Sequence, residues 1–215
     1  MSTTQLLNVK EKNINEDLLN NIYISKKIFK EMVQPGYQLG ELSQDIEVEI
    51  GFNCKVIIPA THDTGSSYMA SLTDNQIILS SGTWSLLGVE LDEAITCEEA
   101  FKANFTNEGG YNGKIRFLKN IMGLWLIQEV AREYQSYFSF SELVEKARKS
   151  NFFETFDVND ERFLKPVSMI KEIQNYFSER NLNVPGNVAD IAYCVYHSLA
   201  LSYKKAIDEL EEITN

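Results

Sequence analysis

The run His62-Asp63-Thr64-Gly65-Ser66-Ser67 sets a carboxylate just after an apolar segment and just before a string of small residues. If that segment is a strand, Asp63 projects from a sheet end toward solvent or a ligand, and clefts at strand ends are where α/β proteins keep their sites. The same carboxylate can instead cap the following helix through the N–H groups of Gly65 or Ser66. A second candidate is Ser80-Ser81-Gly82-Thr83-Trp84-Ser85. Consecutive small residues at a bend let N–H groups and hydroxyls gather around phosphate oxygens without a Cβ in the way, although an ordinary turn uses Gly82 equally well. Ala103 to Gly110 is polar and glycine-ended, and reads as a binding loop or a plain connector. In Lys119-Asn120-Ile121-Met122-Gly123-Leu124-Trp125 a cation and an amide stand at the entry to an apolar helix. Asn120 there can cap the helix or face a ligand. Gln128, one turn beyond Leu124, reads as a solvated side chain, and His197, with no acidic or histidine partner at ligand spacing, as an ordinary histidine.

The elements that must position these residues follow from local chemistry. Asn15 can cap a helix over Glu16 to Ile22, and Ser25 one over Lys26 to Val33, before Gln34-Pro35-Gly36 forces a turn. Lys55 to Ala60 is short, apolar and rich in β-branched residues, which suits a strand buried on both faces. Ile77 to Ser80 and Trp84 to Glu90, split by Ser81-Gly82-Thr83, form a hairpin signature. Lys114 to Leu118 reads as a strand and Ile121 to Tyr134 as an amphipathic helix. Ser139 and Glu142 make a capping box for a helix over 140 to 149, a further helix starts near Ser168, and a long one follows Pro185-Gly186-Asn187. The one domain seam falls between Ser71 and Gln76, in Thr73-Asp74-Asn75.

Composition narrows the function classes. With 215 residues, 44% of them hydrophobic and 11% aromatic, the chain can bury a core. Its 20 basic and 31 acidic residues leave a net charge of -11, which repels a phosphate backbone and argues against nucleic acid as a partner. A single nucleotide is still permitted, because local N–H groups and Mg2+ can hold one whatever the average charge. Cys54, Cys97 and Cys194 lie far apart, so they suggest buried free thiols, with neither zinc nor disulfides. No apolar run approaches membrane-spanning length and Met1 to Leu7 is no secretory leader, so the expected compartment is a reducing cytoplasm without membrane contact.

Leu79 to Leu86, Asn104 to Gly110 and Arg116 to Leu126 together resemble the FGGY carbohydrate kinases, most of all the members that act on L-rhamnulose. The likeness extends from Ser2-Thr3-Thr4-Gln5-Leu6-Leu7 through Asp160 to Pro166 and on to Ser198-Leu199-Ala200. It implies an α/β fold of the ribonuclease-H-like, actin-like ATPase type, in which two domains face each other across a cleft. Residues 1–72 would end the sugar-binding domain and 73–215 would open the ATP-binding domain. Asp63 would be the catalytic base for ATP-dependent phosphorylation of the sugar at O1, with His62, Thr64 and Asn120 at the sugar. Gly82, Thr83 and Gln128 would lie at the nucleotide, and Mg2+ would bridge its phosphates.

FGGY kinases acting on fuculose, xylulose or a related polyol share the aspartate and the hairpin, so these do not by themselves decide the sugar. A non-catalytic binding or assembly module that retains the motifs is the reading from outside enzymology. The family's Asp-x-Gly loop has no counterpart before Asn53, and its Gly-Gly-Gly turn none after the last helix. The resemblance therefore implies a central fragment with little or no activity alone, open to self-association or to a complementing kinase fragment.

Overall fold

A computed structural model describes residues 2–71 and 76–215; the expected domain seam, at 72–73, lies outside the described residues. In chain order the elements are β1 (Leu7–Asn8), β2 (Asn13–Ile14), α1 (Glu16–Asn21), β3 (Gln38–Glu41), α2 (Gln44–Ile50), β4 (Lys55–Ile57), α3 (Asp63–Met69), β5 (Ile78–Ser81), β6 (Trp84–Leu91), α4 (Glu98–Lys102), β7 (Phe105–Gly109), β8 (Ile115–Met122), α5 (Trp125–Glu133), α6 (Phe140–Arg148), α7 (Met169–Glu179) and α8 (Val188–Thr214). Two two-stranded sheets pair β1 with β2 and β3 with β4, both antiparallel, and a four-stranded sheet has the order β5-β6-β8-β7. The chain divides into two compact units, Met1–Ile78 with Gly88–Leu118, and Leu79–Leu87 with Lys119–Asn215.

In the first unit the Asn15 side chain accepts from Leu18 N and starts α1, as its residue type predicts. The helix expected over Lys26 to Val33 is only a 3-10 turn, Lys26–Ile28, and Phe29 is already extended. Ser25 does cap it, but Lys26 and Lys27 place positive charge on the first turn, where the peptide dipoles disfavour it. The strand β4 is also less buried than its sequence suggests. Among the described residues its one sheet partner is β3, and Ile57 remains 48% exposed. The stretch expected as a polar loop from Ala103 is the edge strand β7, with the Phe105 ring stacked 4.9 Å from that of Phe117. Its polar residues serve internal bonds. Asn107 exchanges two hydrogen bonds with the backbone of Ile95, at 2.7 and 3.0 Å, and Glu108 pairs with Arg116.

In the second unit the three C-terminal helices begin where the sequence places them. Ser139 and Glu142 form the capping box of α6, Ser168 caps α7, and Asn187 accepts from Ala189 and Asp190 at the start of α8. A carboxylate also crosses from α5 to α7: Glu133 accepts from the Ser168 hydroxyl and from the Met169 amide. The core is built from Leu126 and Val130 of α5, Leu143 of α6, Ile173 and Phe177 of α7, and Ile191, Val195 and Leu199 of α8. The helix expected from Ile121 instead begins at Trp125, because Ile121 and Met122 complete β8. Both are buried in a strand with neighbours on either side, and a short apolar run fits strand or helix until its neighbours are known. Of the cysteines only Cys194 is buried, and burial pushes its thiol up. Cys97 is exposed, with its sulfur capping α4, and Cys54 is exposed beside β4.

Candidate active site

In the first unit β4 runs out into Ile58-Pro59-Ala60-Thr61 and α3 begins at Asp63. The Ser66 hydroxyl donates to Ala60 O at 2.8 Å and Ser66 N to His62 O at 3.0 Å, so the connecting loop is tied to the first turn of the helix. His62 occupies the N-cap position without a side-chain cap, and Asp63 is the first helical residue. The carboxylate thus does not cap Gly65 or Ser66. Its Oδ1 accepts from the neighbouring Thr64 N at 2.7 Å and Thr64 Oγ1 at 3.4 Å, with His62 Nε2 at 3.5 Å, while the side chain is 94% exposed. Thr64 itself is buried, so its hydroxyl acts on the carboxylate from below. His62 also borders an open cavity of about 640 Å³, bounded further by Ala60, Gly65, Gly109 and Arg116.

Beneath α3 lies a buried pair that sequence reasoning missed. Arg116 of β8 and Glu108 of β7 meet at 2.9 Å with both side chains almost fully buried, and Arg116 Nε donates to Gly109 O. The Arg116 guanidinium lies 5.7 Å from the centre of the Tyr68 ring in α3. Burial raises the Tyr68 hydroxyl far above its usual range, more than the guanidinium lowers it. The available signal was the single cation inside the apolar run Ile115 to Leu118, a pattern that requires a buried partner.

In the second unit Gly82-Thr83 joins β5 to β6, and Gly82 N donates to Trp84 O at 2.9 Å to close the turn. That amide is therefore used within the turn. The turn docks on the start of α5: Leu124 N donates to Gly82 O at 2.8 Å and Trp125 N to Thr83 O at 3.2 Å, giving partners to amides that a helix start leaves open. Close approach is possible because residue 123 is glycine. A Cβ there would lie 2.6 Å from Gly82 O and 2.7 Å from Thr83 O. Gly82 itself is under no such pressure, since its φ is negative and a Cβ would meet only Trp84 O at 3.4 Å. Gly82 and Thr83 are both exposed.

Asn120 is exposed on β8 and does not cap α5, whose N-cap is Leu124. Lys119, beside it, is held by Glu209 of α8 at 2.6 Å. Gln128 is half-buried one turn into α5, its backbone N–H donating to Leu124 O. His62, Asp63 and Thr64 thus form one group in the first unit, and Gly82, Thr83 and the start of α5 another in the second. His197 is exposed and stacks on Tyr193 with ring centres 3.9 Å apart, as an ordinary surface histidine does. Among the described residues no group of three His, Cys, Asp or Glu side chains could hold a metal ion, and no helix is long and apolar enough to cross a membrane.

Comparison with known proteins gives these groups a context. Residues 77–215 match the C-terminal domain of the FGGY family of carbohydrate kinases. Over 213 residues the chain is 48% identical to a rhamnulokinase of Halalkalibacterium halodurans, and over 218 residues it is 44% identical to one of Bacillus subtilis. These alignments take in 99% and 100% of the chain but only 46% and 45% of the two relatives, so the chain spans about half their length. A ligand-bound xylulose kinase and a gluconate kinase, both from Lactobacillus acidophilus, superimpose on 95% of the chain with TM-scores of 0.64. At 12% and 14% identity, and with 42% of each structure covered, they establish the sugar-kinase fold. On the family match, which takes in well over half of its residues, the chain belongs to the FGGY family of carbohydrate kinases.

Proposed function

We propose that this chain carries the catalytic base and the phosphate-facing hairpin of an ATP-dependent sugar kinase, and that the reaction converts L-rhamnulose and ATP to L-rhamnulose 1-phosphate and ADP. The observation that carries the reading is the Asp63 carboxylate, which is 94% exposed, sits on the first turn of α3 and is not used to cap Gly65 or Ser66. In the reaction it accepts the proton of the sugar's C1 hydroxyl as that oxygen forms its bond to the γ-phosphorus. The bond from that phosphorus to the bridging oxygen breaks, and ADP leaves. A loose phosphoryl-transfer transition state asks little of the base's strength and much of its alignment, so the Thr64 and His62 contacts to Oδ1 matter as aiming devices.

Gly82 and Thr83 face the nucleotide phosphates, a role supported by a glycine whose backbone does not itself demand glycine. Asn120 contacts sugar, and Gln128 lies near the nucleotide. Mg2+ would enter with the nucleotide as Mg-ATP and would supply charge neutralisation on the phosphates. L-Rhamnulose is favoured over xylulose by identity to rhamnulokinases of 38–48% over nearly the whole chain, against 12% for the xylulose kinase structure. The seam between the kinase domains is read at 72–73, just ahead of the C-terminal match at 77. An ATP-dependent step belongs in the cytoplasm.

The test is Asp63→Asn in a full-length kinase containing this sequence, assayed on a panel of ketoses and polyols. Turnover of L-rhamnulose is expected to fall about 10²- to 10⁴-fold, with Mg-ATP binding nearly intact. An unchanged rate removes Asp63 from the mechanism, and a stronger response to another ketose overturns the choice of sugar.

A further inference from the structure

The most unusual group outside the residues given a part in the reaction is the buried Arg116. Its Nη2 is fixed by Glu108 at 2.9 Å and its Nε by Gly109 O at 3.2 Å, while Nη1 is buried without a hydrogen-bond partner among the described residues. The guanidinium lies under the first turn of α3. A Cβ built on Gly65, two residues after Asp63, would lie 3.6 Å from Arg116 Cζ and 3.7 Å from Nη1. The next turn rests on the same cation through the Tyr68 ring, whose hydroxyl donates to Ile78 O at 3.4 Å. A buried ion pair is a poor source of stability, because desolvation offsets much of its attraction. It does supply a planar, forked group of fixed direction. Here that group is locked to β7 from below and carries α3 above.

We propose that Arg116, fixed by Glu108 and Gly109, is a positioning residue that sets the height and tilt of the first turn of α3 and so aims the Asp63 carboxylate. The inference rests on the reading of Asp63 as the base. It acts through Gly65 and Tyr68: a Cβ at Gly65 would stand in ordinary contact with the guanidinium, at 3.6–3.7 Å, and the Tyr68 ring lies over the same cation.

The test uses Arg116→Met with Glu108→Leu, which removes both charges together and leaves no buried ion unpaired. In the 215-residue chain, amide exchange is followed at Thr64, whose N–H donates to Asp63 Oδ1, with the Phe177 amide of α7 as internal reference. Exchange at Thr64 is expected to accelerate on the order of tenfold while Phe177 is unchanged. In the full-length kinase, kcat is expected to fall on the order of 10- to 100-fold with KM for Mg-ATP unmoved. A double variant that folds, keeps Thr64 protected and keeps its kcat overturns the proposal. Arg116→Lys, which retains the charge but loses the fork, covers the case in which the double variant fails to fold, and unaltered Thr64 exchange there has the same consequence. The two readings separate cleanly: a silent Asp63→Asn sinks the assignment of the base, whereas a severe Asp63→Asn beside a silent double variant sinks only the role of Arg116.

Discussion

Single side chains divide into those the backbone requires and those it does not. Gly123 is required, because Gly82 O and Thr83 O leave no space for a methyl group. Gly82 is not, which turns it into a test of ligand approach with little structural cost. Gly82→Val is expected to raise the Kd for Mg-ATP about tenfold or more while shifting Tm by no more than about 2 °C, measured by calorimetry and thermal melting of the same preparation. An equal loss of stability and affinity would instead mean that the glycine serves the turn. Arg116 and Glu108 belong with the required residues although both are charged. In the sequence they read as an isolated cation and one acid in a polar stretch, because pairing between β7 and β8 is what brings them to 2.9 Å.

At the level of elements, the signals that were local and chemical were legible. Asn15, Ser139, Ser168 and Asn187 each start the helix their side chains can cap, since a cap needs only the next three residues to be understood. What depended on distant neighbours was not legible. Ile121 and Met122 became strand because β8 has partners on both sides, and Phe105 to Gly109 became strand because β8 offered it an edge. Of the site, the Asp63 motif and the hairpin were visible, while the support under α3 was hidden for the same reason. The capping box carries a pH signature. Hydrogen bonds from the Ser139 amide, then from its hydroxyl, hold the Glu142 carboxyl below its usual range. A depressed folded value means that this stabilisation is present above the unfolded carboxylate range and disappears as pH falls through the folded value. Glu142→Gln is therefore expected to lower Tm at pH 7 by at most about a few degrees, and melting curves taken at successively lower pH should show the gap narrowing as the carboxyl is protonated.

Across the whole molecule, burial is uneven. The second unit packs its helices around Phe177, Leu143 and Val195, each fully buried. Within the first 52 residues, by contrast, Tyr23, Ile28, Leu39, Val48 and Phe52 are all exposed, and among the described residues the small sheet of β3 and β4 has an open edge on each strand. Exposed apolar side chains beside unpaired strand edges invite association. Sedimentation equilibrium on the isolated chain is expected to show an average mass that rises with concentration, and Val48→Lys with Phe52→Lys should suppress the rise. A mass fixed at that of one chain would show that this surface is inert.

The docking of the hairpin on α5 has one more consequence. The chain contains only two tryptophans, and both stand at this junction: Trp84 follows Thr83 and is 46% exposed, while Trp125 donates its amide to Thr83 O and its indole N–H to Phe163 O. Every photon of indole emission therefore originates beside the turn proposed to face the phosphates. The molecule needs no dye to report on that spot, and its intrinsic fluorescence is a local gauge.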